Sequence, residues 1–127
     1  MRALKLLAVL CLLPLTTGCL VVAAAVAAGA IVTYSNGEGR KTYAATVEKA
    51  RTACAEVLEG DLKIKVLNAN ADAASGKIVA RTADDRKIEI TLRREGEKST
   101  EVRFRVGFQG DEGLTREFYK KLDVKLE

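Results

Sequence analysis

The sequence predicts an α+β protein in which two helices cover one face of an antiparallel sheet, in the element order β-α-β-β-β-β-α. Two observations lead to this prediction. Apolar residues recur at helical spacing near both ends of the region after residue 39, and between those ends they alternate with polar residues through four segments. Such alternation is typical of an antiparallel sheet with one covered face, which gives a two-layer sandwich.

The first predicted elements are a strand over residues 40–45 and the helix that follows it. A cluster of turn residues at positions 35–39 indicates that the fold begins just after it. Thr46 is placed to cap the helix, and Gly60 is placed to end it. The apolar face of this helix consists of Val47, Ala50, Cys54, Val57 and Leu58.

Four strands and a second helix are predicted from residue 62 onward. A polar loop at residues 68–76 and turns at residues 83–86 and near Gly96 separate the strands. The positions that face the helices are Leu62, Ile64 and Val66; Ile78 and Ala80; Ile88, Ile90 and Leu92; and Val102, Phe104, Val106 and Phe108. Asp111 then caps a helix that turns Leu114, Phe118 and Leu122 toward the sheet.

The first nineteen residues have the three parts of a bacterial lipoprotein signal. Residues 1–5 are basic, residues 6–15 are apolar, and Thr16-Thr17-Gly18-Cys19 follows at once, with Thr16 in a place where an aliphatic residue is preferred. We predict a signal peptide over residues 1–18 and lipidation of Cys19. A small-residue tether over residues 19–39 and a single domain over residues 40–127 complete the predicted organisation.

Two other routes of processing fit the same segment. Residues 6–32 are long enough to cross a bilayer as an uncleaved anchor, although Pro14 interrupts them. Cleavage at Ala23-Ala24-Ala25 would instead release a secreted protein. Because Leu20 stands where an aspartate would retain a lipoprotein at the inner membrane, we predict an outer-membrane location facing the periplasm. Inner-membrane anchoring and secretion are the alternatives.

The net charge does not indicate a nucleic-acid partner. The whole chain carries +4, and removal of Arg2 and Lys5 with the signal leaves 19 basic against 17 acidic residues, or +2. Such a balance lacks the strongly basic character of nucleic-acid-binding proteins. The predicted partner is therefore the membrane, through the N-terminal lipid, together with an envelope protein or an anionic envelope component.

The composition argues against the common catalytic and metal sites. The chain has no histidine, which removes the most frequent general base and metal ligand. The acidic pairs Asp84-Asp85 and Asp111-Glu112 suit a turn and a helix start, so we expect no metal and no cofactor. With Cys11 in the signal and Cys19 lipidated, Cys54 is expected to be a buried small hydrophobe. We predict a protein that is not an enzyme.

The outward-facing side of the predicted sheet is the surface whose charge pattern indicates a function. It holds two acidic residues, Glu89 and Glu101, and eight basic ones: Lys63, Lys65, Lys77, Arg81, Lys87, Arg93, Arg103 and Arg105. Such a face attracts anionic lipid headgroups, an acidic envelope polymer or an acidic protein. The alternative is a solvated face whose charges keep the sheet soluble.

The chain resembles small bacterial lipoproteins that are classed only by a domain of unknown function. The resemblance rests on Gly18-Cys19 with its alanine-rich sequel and on Tyr43, and further motifs lie at residues 76–81, 100–102, 106–107 and 110–112. It also resembles, at the level of fold, the helix-grip domains of the lipoprotein subunit of the outer-membrane β-barrel assembly machinery.

Together with the basic outward side and the lack of a catalytic constellation, these resemblances lead us to predict a non-enzymatic envelope lipoprotein that binds an envelope component or assembly through its folded domain. Two alternatives remain open at this point. One is a purely structural protein-protein interaction module, and the other is an enzyme with an unrecognised carboxylate or lysine site.

Overall fold

A computed structural model of the protein describes residues 32–126, and within them it contains one six-stranded sheet and two helices. The predicted signal peptide, Cys19 and the tether as far as residue 31 lie outside the described residues. The elements are β1 (Thr33–Ser35), β2 (Glu38–Tyr43), α1 (Val47–Glu56), a π-helical turn (Val57–Asp61), β3 (Lys65–Ala71), β4 (Ser75–Arg81), β5 (Lys87–Gly96), β6 (Ser99–Val106) and α2 (Glu112–Leu126). No helix in this part of the chain is long and apolar enough to cross a membrane.

All neighbouring strands are antiparallel, and their order across the sheet is β1-β2-β6-β5-β4-β3. Strands β3 to β6 follow one another as a meander. Strand β2 then pairs with β6, which brings the start of the described chain beside its last strand. Both helices pack on the same side of the sheet, α1 over β3 to β6 and α2 over β2 and β6. The predicted α+β two-layer sandwich is confirmed.

The sheet begins earlier in the chain than the sequence prediction placed it. Residues 33–35 form β1, and the first predicted strand, residues 40–45, lies instead at residues 38–43. Asn36 and Gly37 have φ angles of 53° and 79°, which make them the two-residue turn of a β-hairpin. The turn cluster therefore lies inside the sheet and joins two strands, because an Asn-Gly pair adopts the positive φ angles that such hairpins require.

Helix α1 starts as predicted but ends differently. The Thr46 side chain accepts a hydrogen bond from the backbone nitrogen of Lys49 at 3.2 Å, and the five predicted apolar residues are buried. Gly60 does not end the helix. The backbone nitrogens of Leu62 and Ile64 donate to the carbonyls of Val57 and Leu58, at 3.0 and 2.7 Å. These hydrogen bonds satisfy carbonyls at the end of the helix, so a glycine cap is not needed there.

Strand β3 also departs from the prediction, which gave a strand at residues 62–66 and a loop at residues 68–76. The strand runs from Lys65 to Ala71 with a bulge after Val66, and the connection to β4 is short. In that connection the Asp72 carboxylate accepts hydrogen bonds from the backbone nitrogens of residues 74 and 75. Asn68 and Asn70 are exposed on this edge strand, so its composition resembles that of a loop.

The alternation predicted for β4, β5 and β6 is confirmed, and the core lies between these strands and the helices. The Phe104 ring on β6 stacks on Phe118 of α2, with centroids 4.2 Å apart and planes at 16°. Asp111 caps α2 as predicted, since its carboxylate accepts a hydrogen bond from the backbone nitrogen of Leu114 at 3.0 Å. Phe118 and Leu122 are fully buried and Leu114 is half-buried.

A close approach between Gly39 of β2 and α2 fixes the helix on the sheet. The buried Tyr119 hydroxyl lies 2.8 Å from the Gly39 carbonyl oxygen and 2.6 Å from that of Val102, so its proton is shared between neighbouring strands. A Cβ atom on Gly39 would lie 2.5 Å from Thr115 Cγ2 and 2.8 Å from the Tyr119 ring. Glycine is therefore required here by space.

We predict that Gly39→Ala lowers the free energy of unfolding by about 1–3 kcal/mol, because the added methyl group displaces α2. The matched change is Gly60→Ala, where a Cβ meets no atom within 4 Å. It should raise the free energy of unfolding by about 0.5–1 kcal/mol, since alanine loses less backbone entropy than glycine on folding. Urea unfolding followed by circular dichroism measures both. Equal effects of the two substitutions would contradict the packing argument.

Candidate functional site: the basic outer face of the sheet

Strand register places the outward-facing basic residues in rows across the sheet. Lys65 lies opposite Arg81, and Arg81 lies opposite Lys87, so three strands contribute neighbouring cations. In another row, level with Thr91 of β5, Arg103 of β6 lies opposite Arg40 of β2. We use the term basic face for the outward surface that carries Arg40, Lys65, Lys77, Arg81, Lys87, Arg93, Arg103 and Arg105.

Seven of the eight basic residues predicted for this surface lie on it, and Lys63 does not. Lys63 lies between the π-helical turn and β3 and has a φ angle of 55°, because the helical segment continues to Asp61 and delays the strand until Lys65. Arg40 and Glu38 belong to the face but were not predicted. In the structure the half-buried Glu38 and the exposed Arg40 alternate with buried Gly39 and Lys41, and because an inward lysine breaks the apolar alternation, the sequence pattern did not identify them.

Ion pairs on the basic face leave cationic charge in excess. Its acidic residues are Glu38, Glu89 and Glu101, three against eight basic ones. Lys77 and Lys87 share the single carboxylate of Glu89, at 3.3 and 3.4 Å. Two more pairs join Arg40 to Glu38 at 2.9 Å and Arg103 to Glu101. Exposed pairs of this kind contribute only about 0–1 kcal/mol each, so the cations can exchange partners at little cost.

Glu89, at the centre of this network, stays ionised at neutral pH. Burial by itself raises the pKa of Glu89, but hydrogen bonds and positive charges from Lys77 and Lys87 outweigh it, so the pKa lies below its ordinary value. Hydrogen bonding to Glu101 in turn raises the pKa of Arg103. Glu89 and Arg103 therefore both keep their charges around neutral pH.

Phe108 lies at the rim of the basic face, where the sequence predicted an inward-facing core residue. Its side chain is 92% exposed. Strand β6 ends at Val106, and Gly107 turns the chain with a φ angle of 58°, so the alternation stops one step before Phe108. A shallow concave region of about 340 Å³ is lined by Phe108, Gly107, Lys87, Glu89 and Arg105. The ring is thus on the outward side, next to cations.

The opposite end of the sheet has a different character. A concave region of about 490 Å³ lies beside the start of α1, and Glu48, Asp72 and Glu97 contribute acidic side chains to it against the basic Arg94. Among residues 32–126, no three cysteine, aspartate or glutamate side chains converge as metal ligands. This end therefore does not extend the basic face.

One cluster of ionisable groups lies under α2, on the covered side of the sheet. The Lys41 ammonium lies 2.7 Å from Asp123 Oδ1, and the Tyr43 hydroxyl donates to the same oxygen at 2.6 Å. Burial, followed by this hydrogen bond, raises the pKa of Tyr43, so the hydroxyl remains protonated. Lys41 is only 9% exposed. The Asp123 carboxylate on α2 therefore binds both Lys41 and Tyr43 of β2, and this connects the helix to the strand.

Comparison with known families identifies the family of the chain but indicates no activity. A family model described as a protein of unknown function (DUF3568) matches residues 3–123. The chain belongs to this family. Among curated proteins the comparison finds no match. The family description assigns no role to any side chain, so the basic face and Phe108 are candidates on their geometry alone.

We predict that Asp123→Asn lowers the free energy of unfolding of this family member by about 1–3 kcal/mol, because it removes the charge that Lys41 and Tyr43 share. Glu117→Gln is the matched control, since Glu117 is exposed on the same helix. It should change the free energy by less than about 0.5 kcal/mol. Thermal and urea unfolding measure both variants. A neutral effect of Asp123→Asn would show that the cluster does not hold α2 on the sheet.

Proposed function

We propose that this protein is a non-enzymatic envelope lipoprotein that binds an anionic envelope component through the basic face. The observation that carries the proposal is the concentration of eight basic residues against three acidic ones on one exposed side of the sheet. In this proposal the lipid on Cys19 holds the protein at the outer membrane, and the domain faces the periplasm.

The exposed sides of the two helices support the proposal by contrast. There the signs are mixed, with Glu48, Glu56, Glu59, Glu112 and Glu117 beside Lys49, Arg116, Lys120, Lys121 and Lys125. Mixed signs are sufficient to keep a surface soluble. A face with a strong excess of one sign goes beyond that requirement, and it draws oppositely charged partners by long-range attraction.

Individual cations on the basic face are available for a ligand. Within residues 32–126, neither Lys65 nor Arg93 forms an ion pair with a carboxylate. In the same described part of the chain, Arg81 forms one ion pair, with Asp85 of the adjoining turn at 3.2 Å, where both side chains are solvent-exposed. A polyanion that reaches these groups therefore replaces water and weak pairs, which adds binding energy without breaking buried structure.

The anchor is tested by the intact mass of the mature protein. We expect the mass of a chain that begins at Cys19 and carries acyl groups, because thioether formation on Cys19 precedes cleavage in this type of signal. Cys19→Ala should abolish both acylation and cleavage before residue 19. A mature mass that begins beyond Cys19, or an unprocessed wild-type chain, would overturn the lipoprotein part of the proposal.

The basic face is tested by charge reversal on a matched pair of triple variants. Lys65→Glu, Arg81→Glu and Lys87→Glu together should lower the salt concentration that elutes the detergent-solubilised full chain from dextran sulfate. Each reversal removes about 1 kcal/mol of attraction to an anionic surface and adds repulsion. The control reverses Lys49, Lys120 and Lys121, which are exposed on the helical side.

The comparison between the two triple variants decides the outcome, because both change the net charge equally. If both elute at the same salt concentration, net charge alone governs binding and the basic face has no special role. A second variant, Glu89→Gln, should shift elution to higher salt, because it removes the central carboxylate from the face. An envelope protein partner whose binding does not weaken with salt would instead favour a structural interaction module.

A further inference from the structure

Phe108 is an exposed aromatic residue on a turn whose backbone is held by hydrogen bonds. A single exposed apolar residue has little meaning alone. This one follows Gly107, whose backbone nitrogen donates to the Lys87 carbonyl at 2.7 Å. The Phe108 carbonyl accepts a hydrogen bond from Arg105 Nη2 at 3.1 Å. The ring is thus presented from the end of β6 with a guanidinium at its base.

The turn that carries Phe108 is braced against the β1–β2 hairpin. Gly110 has a φ angle of 80°, and a Cβ atom on it would lie 2.5 Å from Gly37 Cα and 2.6 Å from the Tyr34 hydroxyl. On the other side, Arg86 Nη1 lies 2.8 Å from Asp111 Oδ2, which links the β4–β5 turn to the start of α2. Three connections therefore meet at this end of the sheet and hold the Phe108 turn in place.

The cations nearest to Phe108 form a continuous group on the same side of the sheet. Lys87 and Arg105 line the concave region beside the ring. Arg81 lies opposite Lys87 in the sheet, and Lys65 lies opposite Arg81. An aromatic ring that projects beside four cations combines an apolar group for the acyl boundary with charges that pair with phosphate headgroups, as in proteins that lie on membrane surfaces.

Chain length allows this end of the domain to reach the membrane of the proposed anchor. Thr33 lies in register with Arg40 and Arg103, five residues before Phe108. Strand rise and spacing place Phe108 about 20 Å from Thr33. The thirteen residues between Cys19 and Thr33 can span up to about 45 Å. An acylated Cys19 and Phe108 can therefore contact the same bilayer.

We infer that the anionic component bound by the basic face is the phosphate-bearing lipid surface of the anchoring membrane, and that Phe108 inserts into its interface beside Lys87 and Arg105. This inference rests on the proposed function and gives its ligand a chemical class. Each cation brought to an anionic surface strengthens binding about fivefold, and the ring adds contact with the acyl region. The domain then lies on the membrane by its outer sheet face.

The chain contains no tryptophan, so a single introduced tryptophan reports its own surroundings. The test uses the full lipidated chain with Phe108→Trp, reconstituted into vesicles of phosphatidylcholine alone or with phosphatidylglycerol. Brominated lipid acyl chains quench tryptophan that enters the bilayer. The matched probe is Val124→Trp, on α2, because Val124 is 81% exposed on the helical side. Both substitutions are at exposed positions and leave the core unchanged.

We expect the Phe108→Trp emission to shift to shorter wavelength and to be quenched in vesicles that contain phosphatidylglycerol, and to remain unquenched in phosphatidylcholine. The Val124→Trp probe should stay unquenched in both. Adding Lys87→Glu and Arg105→Glu to the Phe108→Trp chain should abolish the quenching, because like charges then oppose contact with the surface.

Four results would overturn the inference. They are no quenching of the residue 108 probe, equal quenching in both vesicle types, quenching of the residue 124 probe instead, and concentration-dependent shielding of residue 108 in detergent, which would identify a second copy as the occupant. The dextran sulfate measurement is independent of these readings. If the basic-face variant loses dextran sulfate binding while residue 108 stays unquenched, the proposed function stands and the membrane inference fails.

Discussion

The packing of α2 against β2 and β6 is the interaction on which the rest of the fold depends. Phe104 of β6 stacks on Phe118, and Tyr119 reaches carbonyls on both strands. Strand β2 is remote in sequence from β6, so the helix secures a pairing whose formation costs loop-closure entropy. Because both helices pack on this side, no element within residues 32–126 covers the other side of the sheet. The basic face is a consequence of that one-sided packing.

The sequence predicted the parts of the fold in which periodicity and burial agree. Strands β4, β5 and β6 and the helix faces follow from alternation and helical spacing, because each has one covered side. Strand β3 was misplaced because it is an edge strand whose exposed asparagines resemble a loop. Gly60 and Lys63 were misassigned for a shared reason. The π-helical turn depends on hydrogen bonds from Leu62 and Ile64, which no residue pattern specifies.

The candidate site was predictable in its charge but not in its apolar part. Seven of the basic residues follow from strand alternation alone, since outward positions differ from inward ones in polarity. Phe108 continues the same alternation in the sequence, and only the positive φ angle of Gly107 removes it from the core. Where a strand stops is decided by neighbouring turns in space, here the β1–β2 hairpin against Gly110. A periodic pattern carries no information about that boundary.

The geometry of the sheet also constrains how an anchored domain would lie. Thr33, where the proposed tether joins the domain, is level with Arg103, whereas Phe108 lies beyond the end of β6. The proposed tether is long enough to span this offset, so Thr33 itself need not lie at the surface. Contact of both Phe108 and the cations of the basic face with one bilayer would incline the outer sheet face toward the headgroups. The mixed charges of the helices would then face the aqueous side, where they keep the domain soluble.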